Sequence, residues 1–412
     1  MREGGVLIEN IFVPIGGGDE IGASCYYLRS GDTRLLLDCG LRPQSEWVYP
    51  YFESFLPMGF IDGLWDLDAV FLSHAHLDHI GALPKLISEN YRATIYASTP
   101  TKTLTEVMLK ITTKENAKNS WYETPNAFYQ SALIHEAIGK VVAIDWNKPK
   151  SFGNFQVTYF PAGHVLGAAM VYIEFENRRI LYTGDFCDVD QETVGKYQLP
   201  ENLPVDLLIM ETTYRNRTAD REELKTYASF EDFRGILAEG GKVMLPGFAL
   251  GRAQEVALKI KKAQDLGLVP VCPIVIDGFA KALTDIYENY GRRIYDYQTV
   301  FPFQRQDETL YADEPCIIIA SPGMMLEGNR SARHYSRMPS GSIYVGELPL
   351  TAHAQREGLL SFIGNVRPKE VILVHGNPNE TTPIGLFEEI HLRFPFLKCV
   401  YQSRNLQPIQ FL

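Results

Sequence analysis

Seven consecutive residues, Ser73-His74-Ala75-His76-Leu77-Asp78-His79, constrain this chain more than any other stretch. Three of its nine histidines and one carboxylate fall within six positions. The run follows Ala69-Val70-Phe71-Leu72, which has strand character, and leads into His79-Ile80-Gly81-Ala82-Leu83-Pro84-Lys85-Leu86, which looks like the opening of a helix. Residues two apart in an extended segment share a face, so His74 and His76 can hold one metal ion. Asp78 and His79 lie past the bend and can face a second. Imidazole and carboxylate are ligands suited to zinc.

The rest of the chain repeats one device: a short apolar run that ends in a polar residue. Leu35-Leu36-Leu37 ends in Asp38, which reads as a buried carboxylate orienting a ligand. Val157-Thr158-Tyr159-Phe160 leads through Pro161-Ala162-Gly163 to His164, and Ile180-Leu181-Tyr182-Thr183-Gly184 to Asp185. Leu207-Leu208-Ile209-Met210 ends in Glu211, and Val371-Ile372-Leu373-Val374 in His375. With the histidine cluster these make one constellation along the edge of a sheet. His135, His334 and His391 stand outside any motif and read as surface or packing residues.

Composition bounds the alternatives. A chain of 412 residues is long for one core, which points to two domains. No apolar run is long enough to span a membrane, and Met1 to Gly18 lacks the pattern of a signal peptide, so the expectation is a cytoplasmic protein without a membrane partner. Six cysteines without paired spacing fit reduced thiols. A net charge of −11 argues against a protein that coats nucleic acid through general basicity. Between Arg215 and Val345, however, 17 basic residues balance 17 acidic ones, so the excess of acid lies outside that segment. The same segment alternates helix and strand: helices over Glu222–Glu239, Arg252–Asp265 and Ala280–Tyr290, strands over Lys242–Gly247, Val271–Asp277 and Cys316–Ala320. Such alternation predicts a parallel sheet flanked by helices. The expected layout is a first domain over 1–214, an inserted domain over 215–345, and a return to the first domain over 346–412.

His74-Ala75-His76-Leu77-Asp78-His79, together with Asp38, His164 and Asp185, resembles the metallo-β-lactamase superfamily. The inserted segment with Glu211, His353 and His375 resembles its β-CASP branch of nucleases, and within it the ribonucleases related to the endonuclease subunit of the cleavage and polyadenylation complex. Supporting strings are Leu245-Pro246-Gly247-Phe248-Ala249-Leu250-Gly251-Arg252-Ala253-Gln254-Glu255 and Ser321-Pro322-Gly323-Met324-Met325. The resemblance implies an α/β fold, an αββα sandwich with an inserted parallel-sheet domain, and two zinc ions per chain. It places His74, His76 and His164 on one zinc, Asp78, His79 and His375 on the other, and Asp185 between them. It gives His353 and Glu211 a role at the leaving group, and makes histidine at 375 the mark of RNA-cutting members, where DNA-processing members carry valine. Arg215-Asn216 and Gln355 depart from the family pattern.

The implied reaction is hydrolysis of RNA to 5′-phosphate and 3′-hydroxyl ends, cutting internally, from the 5′ end, or both, in RNA processing or decay. Asp78 and Asp185 join His353 and Glu211 as catalytic candidates. His353 has the intrinsic pKa of a general acid, and Glu211 can hold its ring. Arg252, at a helix start, and Ser321 and Gly323, after a strand, are candidates for substrate contact. A DNA nuclease of the same fold, a small-molecule metallo-hydrolase and a non-catalytic scaffold are the competing readings. A homodimer is compatible with the sequence.

Overall fold

The computed structural model describes residues 10–411 apart from 43–44, 46, 112–129, 218–219, 305–313, 322–329, 339–342, 347, 349 and 378–383. Alternation of side chains along the strands sorts the chain into layers. Leu35 and Leu37 of Thr33–Leu37, and Phe71 of Ala69–Phe71, face one core; Leu36 and Val70 face another. In the second sheet Ile372 and Val374 of Glu370–Val374 join the core of Leu35 and Phe71, while Val371 and Leu373 turn away toward Leu359, Phe362 and Ile390. Two seven-stranded sheets therefore stack face to face, with helices on both outer faces.

The first sheet runs, in spatial order, Ile409–Gln410, Asn10–Gly16, Cys25–Ser30, Thr33–Leu37, Ala69–Phe71, Thr94–Ser98 and Val141–Ile144. The second runs Cys399–Gln402, Glu370–Val374, Leu207–Glu211, Arg178–Tyr182, Ala169–Phe175, Phe155–Pro161 and Lys150–Ser151. Leu207–Glu211 and Glu370–Val374 are parallel neighbours although the chain between them is long. That intervening chain builds a third sheet in the order Val300–Pro302, Ile274–Asp277, Cys316–Ala320, Lys242–Pro246 and Ile343–Val345, parallel throughout. The expected αββα sandwich and parallel-sheet segment are thus both present.

Local differences have local causes. Arg252–Asp265 and Cys316–Ala320 form over the expected residues. The strand expected from Val271 begins at Ile274, because Pro270 and Pro273 have no amide proton to give a ladder. The helix expected after the histidine cluster is two short ones, Leu77–Ile80 and Leu83–Ser88, with Gly81 and Ala82 between them. Of the helical stretch expected over Pro100–Lys140, Thr99–Ile111 and Ser131–Gly139 are helices and 112–129 lie outside the described residues. The six cysteines are free thiols. No helix among the described residues is long and apolar enough to cross a membrane.

The strand ends are held together by close backbone contact. Cys39 donates its amide to the His79 carbonyl, and Leu41 donates to Leu77. Between them a Cβ on Gly40 would lie 1.7 Å from the Asp78 carbonyl oxygen, so only glycine allows this approach. Gly40→Ala should lower the free energy of unfolding by at least about 2 kcal/mol. A denaturant midpoint equal to the parent's would show that the backbone at Asp78 yields without cost.

Candidate metal centre

The proposed ligands follow the C-terminal ends of strands, Asp78 and His79 on the short helix Leu77–Ile80 after Ala69–Phe71, and side chains from several strands converge there. His74 Nε2 lies 2.9 Å from His76 Nδ1, and His164 Nε2 lies 3.1 Å from the same atom. Asp185 Oδ2 is 3.6 Å from His74 Nε2 and 3.7 Å from His164 Nε2. These four residues form one ligand-ready group; Asp78, His79 and His375 form a second; Asp185, Glu211 and His353 form a third. Asp185 also lies 3.4 Å from His79 Nε2 and 3.7 Å from His375 Nε2, so it faces all three.

The outer nitrogen of each histidine fixes which nitrogen points inward. His164 Nδ1–H donates to the Ala352 carbonyl at 2.6 Å, and His76 Nε2–H donates to the Leu250 carbonyl at 3.2 Å. Ser73 Oγ donates to Asp38 Oδ2, so His74 Nδ1–H donates to Ser73 Oγ at 3.0 Å. His79 Nδ1–H donates to Asp38 Oδ2 at 2.8 Å, and His375 Nδ1 pairs with Ser24 Oγ at 2.7 Å. Nε2 of His74, Nδ1 of His76 and Nε2 of His164 then turn lone pairs toward one point, an arrangement that repels itself without a cation. Asp185 Oδ1 is buried and has no hydrogen-bond partner among the described residues. Donor set and orphaned oxygen both fit a metal site.

Electrostatics agree. Burial pushes the pKa values of His74, His76 and His164 down, which keeps them in the neutral form that binds metal. Burial also opposes charge on His79, but Asp185, Asp38 and Asp78 outweigh it and raise its pKa well above the usual value. Those carboxylates call for positive charge at that spot. Asp185 is held low: burial favours its neutral form, and His79, His375 and His353 overcome it.

Asp38 is the orienting carboxylate. It is fully buried and accepts from the Ser73 amide, Ser73 Oγ, Tyr182 Oη and His79 Nδ1. Asp38 and His375 both hold left-handed backbone, with φ of 57° and 49°, a local cost accepted at the strand ends that carry the site.

His353 Nδ1 lies 2.9 Å from Glu211 Oε1, and the Phe186 and Thr213 amides fix the Glu211 carboxylate. Burial opposes the imidazolium of His353, yet Glu211 and Asp185 raise its pKa above the ordinary value. The ring packs against His164 and Tyr214, tilted at 51° and 54°, with centroids 4.5 and 4.8 Å away. Gln355 does not disturb this; it forms a backbone bridge with Tyr214. Arg215 reaches toward Gln402, donating from Nη2 to Oε1.

The substrate candidates fare differently. Arg252 donates to the Leu350 carbonyl, with that of Leu348 at 3.5 Å, and so braces the loop that leads to His353. Ser321 is fully buried and accepts the Ala280 amide at a helix start. Gly323 lies outside the described residues. His334 is buried, with Nε2 2.7 Å from Asp277, while His135 and His391 are exposed.

Residues 18–187 match the family description "Metallo-beta-lactamase superfamily", and 345–384 match "Zn-dependent metallo-hydrolase RNA specificity domain". The chain carries a metallo-β-lactamase domain. Among its relatives, "Cleavage and polyadenylation specificity factor 73" of Drosophila melanogaster is 28% identical, aligning over 90% of this chain and 60% of its own length. "Endoribonuclease YSH1" of Candida glabrata is 27% identical over 91% of this chain and 55% of its own. The chain thus spans little more than half the length of these curated relatives. Their likeness is consistent with the β-CASP branch. A crystal structure of a protein of unknown function from Enterococcus faecalis V583 shares the fold at a TM-score of 0.59 and 16% identity, covering 98% of this chain and 100% of that one.

Asp38→Asn replaces an acceptor with a group that can donate toward His79. Metal affinity, measured by chelator competition, should fall about 10- to 100-fold. Unchanged affinity would mean that His79 is oriented without Asp38.

Proposed function

We propose that this protein is a zinc-dependent ribonuclease that hydrolyses RNA to 5′-phosphate and 3′-hydroxyl ends. One observation carries the reading: Asp185 faces two groups of metal-ready side chains and the Glu211–His353 pair at once. Two zinc ions would be held by His74, His76 and His164 on one side and Asp78, His79 and His375 on the other, with Asp185 shared. When bound, such a pair supplies Lewis acidity toward phosphoryl oxygens and water acidic enough to ionise near neutral pH.

The chain's own residues do the rest. Glu211 holds His353 through Nδ1, which leaves Nε2–H as the proton that can be given. Without that proton the departing 3′-oxygen would leave as a strongly basic alkoxide. Asp185 beside His353 favours the imidazolium in the ground state. His375 favours RNA as the substrate, since DNA-processing members of the branch that this chain resembles typically carry valine there. The endoribonuclease named among the relatives supports the same choice. The reading divides the chain at 1–214, 215–345 and 346–412; in its support, Leu207–Glu211 pairs with Glu370–Val374 across the separate parallel sheet. A homodimer is compatible with the sequence, and sedimentation tests it.

End-labelled RNA and DNA of one sequence, incubated with and without chelator, test the function. RNA should be cut, chelator should stop it, and zinc should restore it; equal cleavage of DNA would make this a DNA nuclease of the same fold. Elemental analysis should give about two zinc ions per chain, falling in His74→Ala/His76→Ala. His353→Ala should keep its zinc and cut about 10²- to 10⁴-fold more slowly. The defect should shrink on RNA whose scissile 3′-oxygen is sulfur, because a thiolate leaves without a proton. Loss of zinc in that variant, or an equal defect on both RNAs, would overturn the acid role.

A further inference from the structure

A general acid works only where its proton can reach the leaving oxygen, and His353 is delivered by irregular chain. Leu350 to His353 belong to no helix or strand. Glu211 fixes one ring nitrogen of His353 at 2.9 Å, but the backbone decides how far the other one advances. That backbone is tied on both sides of the ring. After it, the Ala354 amide donates to the Phe186 carbonyl. Before it, the Ala352 carbonyl accepts His164 Nδ1–H at 2.6 Å, and the Leu350 carbonyl accepts Arg252 Nη1–H. Arg252 opens the helix Arg252–Asp265 of the parallel-sheet segment. The start of that helix is itself fixed on the sandwich. The Leu250 carbonyl accepts His76 Nε2–H at 3.2 Å, and the buried Glu255 carboxylate accepts the Glu192 and Thr193 amides at 3.0 and 2.9 Å. Arg252 therefore reaches Leu350 from an anchored base.

We propose that Arg252 is a positioning residue for the general acid. It acts through the chain: by holding the Leu350 carbonyl it stops the loop from pivoting about Ala352, and so sets where His353 Nε2 stands. Two anchors, at Leu350 and Ala352, fix a direction that one alone leaves free. Leu350 is buried, so its carbonyl without a donor would turn toward water, and the chain three residues on would move with it. A displacement of about 1 Å at a catalytic group costs about 100-fold in rate. A guanidinium suits the task, because a charged donor binds a carbonyl more strongly than a neutral one. The acid is thereby tied to the parallel-sheet segment: His353 is in place only while the helix start at Arg252 is docked on the sandwich.

The inference rests on the ribonuclease reading, and its test separates the two. The parent protein, Arg252→Ala, Arg252→Lys, His353→Ala and the double variant Arg252→Ala/His353→Ala are compared at saturating zinc, each checked for zinc content and melting temperature. Two RNAs of one sequence are used, with oxygen or sulfur at the scissile 3′ position. On the oxygen RNA, kcat of Arg252→Ala should fall about 10- to 100-fold, with KM within about twofold of the parent. On the sulfur RNA most of that loss should vanish, since the leaving thiolate needs no acid. The double variant should be no slower than His353→Ala. Arg252→Lys keeps a charged donor and should recover part of the rate; should Arg252→Ala not fold, it carries the same comparison with a smaller loss. An equal loss on both RNAs, a raised KM with kcat unchanged, or losses that add in the double variant would overturn the positioning role and leave the nuclease reading standing. If His353→Ala itself loses equally on both RNAs, the acid role and this inference fall together. If the parent cuts neither RNA, the nuclease reading falls with them.

Discussion

The Asp38 carboxylate, sealed between the two sheets, ties together parts of the chain that the fold must bring to one place. It accepts hydrogen bonds from Ser73 and His79, both in the segment after Ala69–Phe71, and from Tyr182 on Arg178–Tyr182 of the other sheet. A buried carboxylate with fewer donors would carry a heavy desolvation cost. Here the cost is offset by four hydrogen bonds, and those bonds also set the geometry of the metal-facing rings. Ser73 hands the constraint to His74; His79 receives it directly. Once these two rings are fixed, the positions open to His76, His164 and Asp185 are narrow. The anion thus does for the strand ends what a keystone does for an arch: removing it frees every neighbour that leaned on it.

Much of this was legible in the sequence because it was written in side chains at regular positions. The cluster at 74–79, the polar residues ending apolar runs, and the alternation of helix and strand between Arg215 and Val345 all have a period or a spacing. They predict the layers and bring His74, His76, Asp78, His79, His164, Asp185, Glu211, His353 and His375 into one neighbourhood. What the sequence hides is the work done by backbone. Leu250 and Ala352 orient His76 and His164 through carbonyl oxygens, which every residue has. Tyr182 and Ser24 were invisible for another reason: each sits in a strand or turn where its type is ordinary, and only pairing across the sandwich shows its partner.

Arg252 and Ser321 show that donors near a helix start can serve neighbouring chain. Both stand where strands give way to helices, a place that favours anions. In the fold Nη1 of the guanidinium donates to the loop before His353, and the hydroxyl accepts the amide of Ala280. A helix start offers donors, but neighbouring chain competes for them. Gly251 sharpens the point. With φ of 83° it turns the chain so that Leu250 reaches His76 while Arg252 reaches Leu350. Adjacent residues thereby brace two parts of one site.

The ligand set has a consequence for how the chain matures. Its members run from position 74 to position 375, and the whole parallel lobe is made in between. During synthesis the cluster at 74–79 exists long before His375 does. A divalent ion meeting the nascent chain finds a partial, local claw and no shared carboxylate to complete it. Completing the proposed set would therefore require that segments on both sides of the parallel lobe have docked, so full coordination would report assembly of the whole fold.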